Sequence, residues 1–397
     1  MQLRYNYRLD PTPAQRQALA RAFGHARWVF NHGLDARRDA HTAGAAYPTD
    51  AELSRQLTAA KVAPDTAWLT EVSAVVLQQA LADLNTAYRN FFSSLKGKRK
   101  GRRMAPPRRR QKRDRQSVRF TANARFRVLP NGQLRLPKVG DVPVRWSREL
   151  PSTPSSVTVT LDRTGRYHAS FVVEVEGNPL PPVEQETGID LGLSSFAAPS
   201  DGTKLGNPRW ARKAQRKLAR AQRALSRKRR GSNNRAKARA KVARLHARVA
   251  DTRRDWLHQA STTIIRDSQA VYVEDLNVAG LARTRMARSV ADAGWSTFVS
   301  MLEYKAALYG REFGKIDRWF PSTRTCSTCG RVGDKLALNI RTWTCPCGAV
   351  HDRDVNAAIN ILAAGRADSR QRLVEPVSDG ARASQSAMKQ VPAGSAA

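Results

Sequence analysis

Residues 187–198, TGIDLGLSSFAA, read as a short apolar strand that runs into a glycine turn just after Asp190. A carboxylate there is presented at a strand end, and Gly192 lets a metal or a backbone approach closely. Taken singly, such an aspartate reads as a turn-former. Further along, QAVYVEDL (269–276) reads as a second strand that closes on Glu274 and Asp275. Period two sends these adjacent acids to opposite faces, so only one can join a shared site. Alone, either reads as a loop acid. The third segment, HDRDVNAAINIL (351–362), sets Val355, Ala358, Ile359 and Leu362 at helical spacing behind Asp352 and Asp354. Asp354 stands at or near that helix's N-terminus, where negative charge is favoured even without further function. Strands and helices mixed in this way predict an α/β domain with a sheet. Together, two strand-end acids and a helix-borne acid supply the carboxylate cage that a pair of Mg²⁺ ions needs. Such ions sit about 3.5–4 Å apart and clamp both oxygens of a phosphodiester cut. Oxygen donors without histidine suit Mg²⁺.

The rest of the 397-residue chain says what such a site would act on. Lys and Arg number 69 against 33 Asp and Glu, a formal net charge of +36. A surplus of that size points to a polyanion, and nucleic acid is the first candidate. Hydrophobic residues make up 41%, enough for a sizeable core, so wholesale disorder is excluded. No apolar run approaches the roughly 20 residues of a membrane span, and MQLRYNYRLDPTPAQ carries no hydrophobic signal core. Half the surplus lies in residues 202–250, with 18 Lys or Arg, no acid, and a turn at Gly231-Ser232-Asn233-Asn234. A solvated helical face would intersperse acids for pairing, so nucleic-acid contact is favoured over simple solvation.

Upstream, QLRYNYRL (2–9) alternates like a strand, and Thr12 and Pro13 open a helix with Leu19, Phe23, Ala26 and Phe30 on one stripe. Thr49 or Asp50 caps a second helix and Ser73 a third, so residues 11–95 read as a helical block. Residues 96–115 hold 12 basic residues, and composition leaves a solvated linker and a nucleic-acid arm equally open. From 117 to 176 the period falls to two, around hairpin turns at Asn131-Gly132 and Thr164-Gly165. This is an antiparallel β domain, barrel or sheet, which the opening strand joins.

Four cysteines lie within 22 residues: Cys326 and Cys329 as CxxC, Cys345 and Cys347 as the tighter CxC. The pattern is a metal site rather than a disulfide framework, and four thiolates satisfy zinc without other ligands. His351 is available as a substitute ligand. The other histidines show no ligand or triad spacing, which argues against a covalent nucleophile.

Eight segments are similar to the transposon-encoded TnpB proteins, relatives of the miniature type V CRISPR effectors. They are RLDPTPAQ (8–15), FGHARWVFN (23–31), KGKRKGRRMAPPR (96–108), SSVTVTLDRTGRYHASF (155–171), GIDLGLSSFA (188–197), VYVEDLNVAGL (271–281), RTCSTCG (324–330) and HDRDVNAAINIL. The resemblance spans residues 1–365 and departs from the family at the CxC pair. It implies a multidomain α+β chain: a RuvC-like (RNase H fold) α/β nuclease domain with an inserted zinc ribbon, and an N-terminal β-barrel wedge domain with an inserted helical recognition domain. The boundaries it implies are 1–10 and 116–182 for the wedge domain and 11–115 for the recognition domain with its basic segment. The nuclease domain takes 183–319, with a basic hairpin at 205–260, and 351–365; the zinc ribbon takes 320–350. Residues 366–397 read as a disordered tail. The resemblance further implies Asp190, Glu274 and Asp354 as catalytic Mg²⁺ ligands, and Cys326, Cys329, Cys345 and Cys347 around one structural Zn²⁺. It implies a guide RNA from the transposon end and cleavage of double-stranded DNA beside a short transposon-adjacent motif. The protein would be a monomer with its RNA in the cytoplasm of a prokaryotic cell. Nucleic-acid-binding roles without cleavage, accessory or regulatory in transposition, remain as alternatives.

Overall fold

The computed structural model describes residues 1–99, 101–337 and 339–374, and the chain divides into two units, Met1–Val175 and a second beginning at Glu176. In the first, β1 (Gln2–Leu9) leads into α1 (Pro13–Thr42), α2 (Asp50–Ala60) and α3 (Ala74–Leu95). Then follow β2 (Gln116–Thr121), β3 (Arg127–Val128), β4 (Leu134–Leu136), β5 (Gly140–Val142), β6 (Val144–Arg145), β7 (Ser156–Leu161) and β8 (Tyr167–Glu174). β1 pairs antiparallel with β8 along its whole length, Gln2 opposite Glu174 and Leu9 opposite Tyr167. The helices are therefore inserted between β1 and its sheet. That sheet runs β2-β7-β8-β1-β6, and β3-β4-β5 form a separate one. In place of the expected barrel there is an open sheet with a small companion, because β3 to β6, two or three residues each, are too short to close it.

Thr12 and Gln15 cap α1 reciprocally behind Pro13, and Thr49 with Glu52 does the same for α2. Leu19, Phe23, Ala26 and Phe30 are buried in one core with Tyr7, Phe120 and Phe171 of the sheet. The helical block expected as a domain of its own thus shares the core of the β domain, since amphipathic helices must bury their stripes against something. Among the described residues of the basic stretch 96–115 there is no helix or strand, and β2 begins just after it at Gln116. Part of it is docked: Arg109 pairs with Asp35 at 3.0 Å, and Arg110 pairs with Asp83 at 3.1 Å and covers the Phe30 ring at 3.8 Å.

The second unit begins with residues the sequence assigned to the β domain. Asn178 and Leu180 donate to the carbonyls of Leu308 and Tyr309, and Arg311 donates to the carbonyl of Pro181, so 176–182 belong here. Its elements are β9 (Glu186–Asp190), β10 (Ser195–Pro199), β11 (Leu205–Gly206), α4 (Trp210–Ser226), α5 (Asn233–Asp267) and β12 (Ala270–Glu274). After these come α6 (Val278–Leu281), α7 (Ala287–Ala293), α8 (Trp295–Tyr309), β13 (Glu312–Ile316), β14 (Thr342–Thr344), β15 (Val350–Asp352) and α9 (Arg353–Val374). The sheet order is β11-β10-β9-β12-β13, with β9, β12 and β13 parallel and β10 antiparallel to β9. Alternation along the strands builds two cores. Ile189, Val271 and Val273 pack with Leu257 and Ile265 of α5 and Phe298 and Leu302 of α8. Ala270, Tyr272 and Ile316 pack with Ile361 of α9 on the other side.

α9 continues to Val374, so residues 366–374, expected in the tail, are helical; residues 375–397 of that expected tail lie outside the described residues. Its seat on the sheet depends on glycine. A Cβ on Gly188 would stand 2.2 Å from the Ala358 carbonyl oxygen and 2.4 Å from the Leu362 nitrogen, backbone that cannot swing aside. Gly188→Ala should therefore cost about 3 kcal/mol and lower the melting temperature of this unit by roughly 10 °C. Gly206→Ala, with nothing within 4 Å of its Cβ, is the control that should leave it unchanged in the same thermal denaturation.

Candidate active site and metal centre

Parallel register places the first two acids side by side. Ala270 lies opposite Glu186 and Val273 opposite Ile189, so one step further Glu274 stands level with Asp190 at the carboxyl ends of both strands. In open α/β sheets that edge is where ligands bind. Gly188 and Tyr272, two residues before each acid, face α9, and period two turns Asp190 and Glu274 to the same side. Asp275 goes elsewhere, to an ion pair with Arg318.

The first turn of α9 distinguishes the two remaining aspartates. Asp352 is spent as a cap: its Oδ1 accepts from the backbone N–H groups of Asp354 and Val355, each at 3.1 Å, and its Oδ2 meets Lys204 Nζ at 2.6 Å. Asp354 carries no capping duty. Its side chain is 14% exposed against 39% for Asp352, and it meets Arg341 at 3.3 Å and Lys204 at 4.0 Å.

Burial above all, then the charges of Glu274 and Asp354, push the Asp190 carboxyl up to about 8. Burial also raises Glu274, even though its carboxylate accepts a hydrogen bond from the Ser322 hydroxyl. Three acids gathered around a buried Asp190, with no imidazole among them, are a donor set that fits a hard divalent cation. Sequence reasoning missed Ser322, Arg341 and Lys204. Arg341 also donates to Ser194 Oγ at 2.6 Å, holding the turn beyond Asp190 to the start of α9.

The four cysteines meet. Their sulfurs lie within 4.8 Å of one another, the only group of three or more metal-ligating side chains so close among the described residues. Cys326 Sγ to Cys347 Sγ is 3.8 Å and Cys329 Sγ to Cys345 Sγ is 3.7 Å. Four thiolates about 2.3 Å from a tetrahedral zinc are roughly 3.8 Å apart, so the CxC pair reaches as well as the CxxC pair. His351 Nε2 is 3.0 Å from Cys326 Sγ, as a neighbour of the thiolate cage rather than a member of it. Two asparagines on one face of α9 hold this knuckle. Asn356 Oδ1 accepts from Ser327 N at 2.9 Å and its Nδ2 donates to Thr325 O at 2.7 Å. Asn360 Nδ2 donates to Ser322 O at 2.8 Å and Thr325 O at 2.7 Å. Both are buried. The segment that carries Cys326 is thus tied to the helix that carries Asp354, and through Ser322 to Glu274.

The basic residues between β11 and β12 form the antiparallel pair α4 and α5. Lys213, Arg216, Lys217 and Arg220 are all exposed. Arg209 gives α4 no side-chain cap, and buried Asp292 of α7 replaces it, accepting from Ala211 N at 2.8 Å and Arg212 N at 3.3 Å. An acid from another helix so fixes the direction in which this cationic helix leaves the sheet.

Comparison with known proteins bears on the whole chain. A protein of Streptomyces pristinaespiralis named "Putative RNA-guided DNA endonuclease" is 45% identical over 393 residues, which cover 98% of this chain and 96% of that one. A family described as "Probable transposase", that of the insertion-sequence OrfB proteins, matches residues 170–285. The chain belongs to the TnpB/OrfB family. A second TnpB/OrfB relative, from Escherichia coli K12 and named "Putative RNA-guided DNA endonuclease InsQ", is 32% identical, covering 91% of this chain and 92% of its own. The families described as "Cas12f1-like, TNB domain" and "Helix-turn-helix domain" match residues 295–361 and 1–45. Among solved structures, Cas12f1 in a complex with its single guide RNA and target DNA has a TM-score of 0.51 at 15% identity, covering 87% of this chain and 82% of that one. That likeness is one of fold: the mixed α/β architecture of this TnpB/OrfB chain is similar to that of Cas12f1.

Proposed function

We propose that the protein is an RNA-guided endonuclease that cuts double-stranded DNA at Asp190, Glu274 and Asp354. The observation that carries this is the convergence of the three acids: two on adjacent parallel strand ends and one in the first turn of the helix seated over them. The reading also draws on the names of the relatives, which describe RNA-guided DNA endonucleases. In this reading the second unit's sheet is a RuvC-like nuclease domain, the cysteine-bearing segment its zinc ribbon, and the first unit joins wedge and recognition elements.

Asp190, Glu274 and Asp354 would hold Mg²⁺, which supplies an activated water and charge stabilisation at the scissile phosphate. Ser322 donates to Glu274 and fixes its carboxylate, while Arg341 and Lys204 balance charge at Asp354. The guide strand would read the target by base pairing and the protein a short adjacent motif on the duplex. To test the reading, RNA that copurifies with the protein is sequenced and supplied with duplexes that match or mismatch its guide segment. Mg²⁺-dependent cutting of the matched duplex alone is expected; intact matched duplex with bound RNA would leave a binding role in its place.

The basic helix pair would lie along a nucleic-acid backbone. Replacing Lys213, Arg216, Lys217 and Arg220 with Gln should weaken RNA or DNA binding and flatten the dependence of log affinity on log salt. Each lost duplex phosphate contact removes about 0.9 from that slope, and four remove up to about 3.6. The fold should hardly change, since these exposed cations add little stability. Filter binding between about 50 and 200 mM salt reads the slope; an unchanged slope would make this a solvated face.

A further inference from the structure

Of the eight tryptophans, Trp319 alone is exposed, at 85%. It stands just past the carboxyl end of β13, where Ile316 is level with Glu274 of β12. The turn that carries it is held on both sides. Asp317 Oδ1 accepts from the Trp319 backbone N–H at 2.7 Å, and Arg318 donates Nε to the Asp275 carbonyl at 2.9 Å and pairs with the Asp275 carboxylate. These contacts engage Asp317 of the turn and Asp275, which follows β12. With Lys315, Ile316 and Trp319 they line an open groove of about 420 Å³. Three residues after the indole comes Ser322, whose hydroxyl donates to Glu274. Three residues of chain span about 10 Å at most, so the Trp319 and Ser322 backbones lie within that distance of each other along the same sheet edge.

An exposed tryptophan needs no explanation by itself. This one is set on a fixed turn, in a groove shared with Arg318, paired with Asp275, and Lys315, paired with Glu303, at the edge that carries the carboxylates. Every nucleobase has a π-face, and stacking on an aromatic side chain is the common way of holding a single strand regardless of sequence. A duplex does not offer its base faces. We propose that Trp319 is a stacking platform for an unpaired base of the DNA strand entering the site, a positioning residue that makes the site select single strands. This rests on the nuclease reading above, but its test does not depend on cutting.

The test uses the full chain with its RNA, in an Asp190→Ala background so that the probe is not consumed. Binding of fluorescein-labelled oligodeoxythymidylate is measured, with a duplex of equal length as the comparison. Trp319→Ala should weaken single-strand binding about tenfold and leave duplex binding unchanged, while Trp319→Phe stays within about threefold of the parent. With Asp190 restored, Trp319→Ala should raise KM for single-strand cleavage more than it lowers kcat. Parent-like binding by Trp319→Ala would overturn the proposal. So would equal losses for Ala and Phe accompanied by a lower melting temperature, which would make the residue structural. A parent that binds the oligonucleotide through Trp319 but never cuts would instead count against the nuclease reading and leave the platform standing.

Discussion

An Asp190→Ala protein loaded with its RNA should leave target DNA uncut, with turnover lower by roughly 10³-fold or more, because residues acting as one catalytic unit fail together. Glu274→Ala and Asp354→Ala should do the same, with guide and target binding preserved in all three. Asp352 is the discriminating control. Its oxygens serve the N–H groups of α9 and Lys204, so Asp352→Asn should cost about 1 kcal/mol of helix stability and less than tenfold in rate. If Asp352→Asn abolishes cutting and Asp354→Asn does not, the roles are reversed. The same site predicts a pH signature. Asp190 titrates near 8 in the fold against about 3.9 in an unfolded chain, so the folded protein keeps a proton the unfolded chain gives up. Stability with divalent ions chelated should be greatest below about pH 4 as far as this group is concerned, and fall as pH rises to about 8. Asp190→Asn removes that dependence and should melt higher than the parent at pH 8, by the equivalent of roughly 5 kcal/mol. A variant that loses activity and gains stability in chelator is acting through the carboxylate charge; one that loses both has lost its fold.

The elements that carry the three acids were legible because strand period and helix start are local properties. Asp190 and Glu274 each end an apolar alternation, and Asp354 opens an apolar helical stripe, so all three could be placed on their elements from sequence alone. The choice of Glu274 over Asp275 came from the resemblance, since local sequence does not carry the parallel register that sets Glu274 level with Asp190. The groups that hold the acids were not legible. Ser322 is 48 residues from Glu274, Arg341 is 147 from Ser194 and Lys204 is 148 from Asp352, and nothing in a serine or a surface cation announces such a partner. Asn356 and Asn360 sit in plain view in the α9 segment, yet their i, i+4 spacing reads as ordinary helix until Thr325 and Ser322 are seen beneath them. The first unit shows another limit. Helical and β periodicities were both visible, but period alone does not say whether two blocks have two cores or one, and Phe23 and Phe120 share theirs.

Loss of the thiolate cage should reach the acids as well. Cys326→Ser should reduce zinc, expected at one per chain, to near zero, and lower DNA cleavage by roughly 100-fold or more, because a structural site's binding energy is folding energy for the segment that holds it. The route is visible: Cys326 follows Thr325, whose carbonyl is held by both Asn356 and Asn360 of α9, and Ser322 on the same segment donates to Glu274. Against the push of burial, N–H donors from Cys329 and Thr328, with His351 beside them, hold the Cys326 thiol well below the usual thiol range, so the thiolate is available to a metal near neutral pH. Cys326 and Cys345 are buried, whereas Cys329 and Cys347 are exposed, so a chelator can enter from the outer pair. Zinc should therefore be open to removal by a chelator from that side. Cys347→Ser, on the exposed side, should lose zinc more gradually than Cys326→Ser. Metal analysis by mass spectrometry, read with cleavage rate across a chelator titration, checks the link. If zinc leaves and cutting persists at the parent rate, the knuckle does not order the acids, and the asparagine contacts alone keep Asp354 in place.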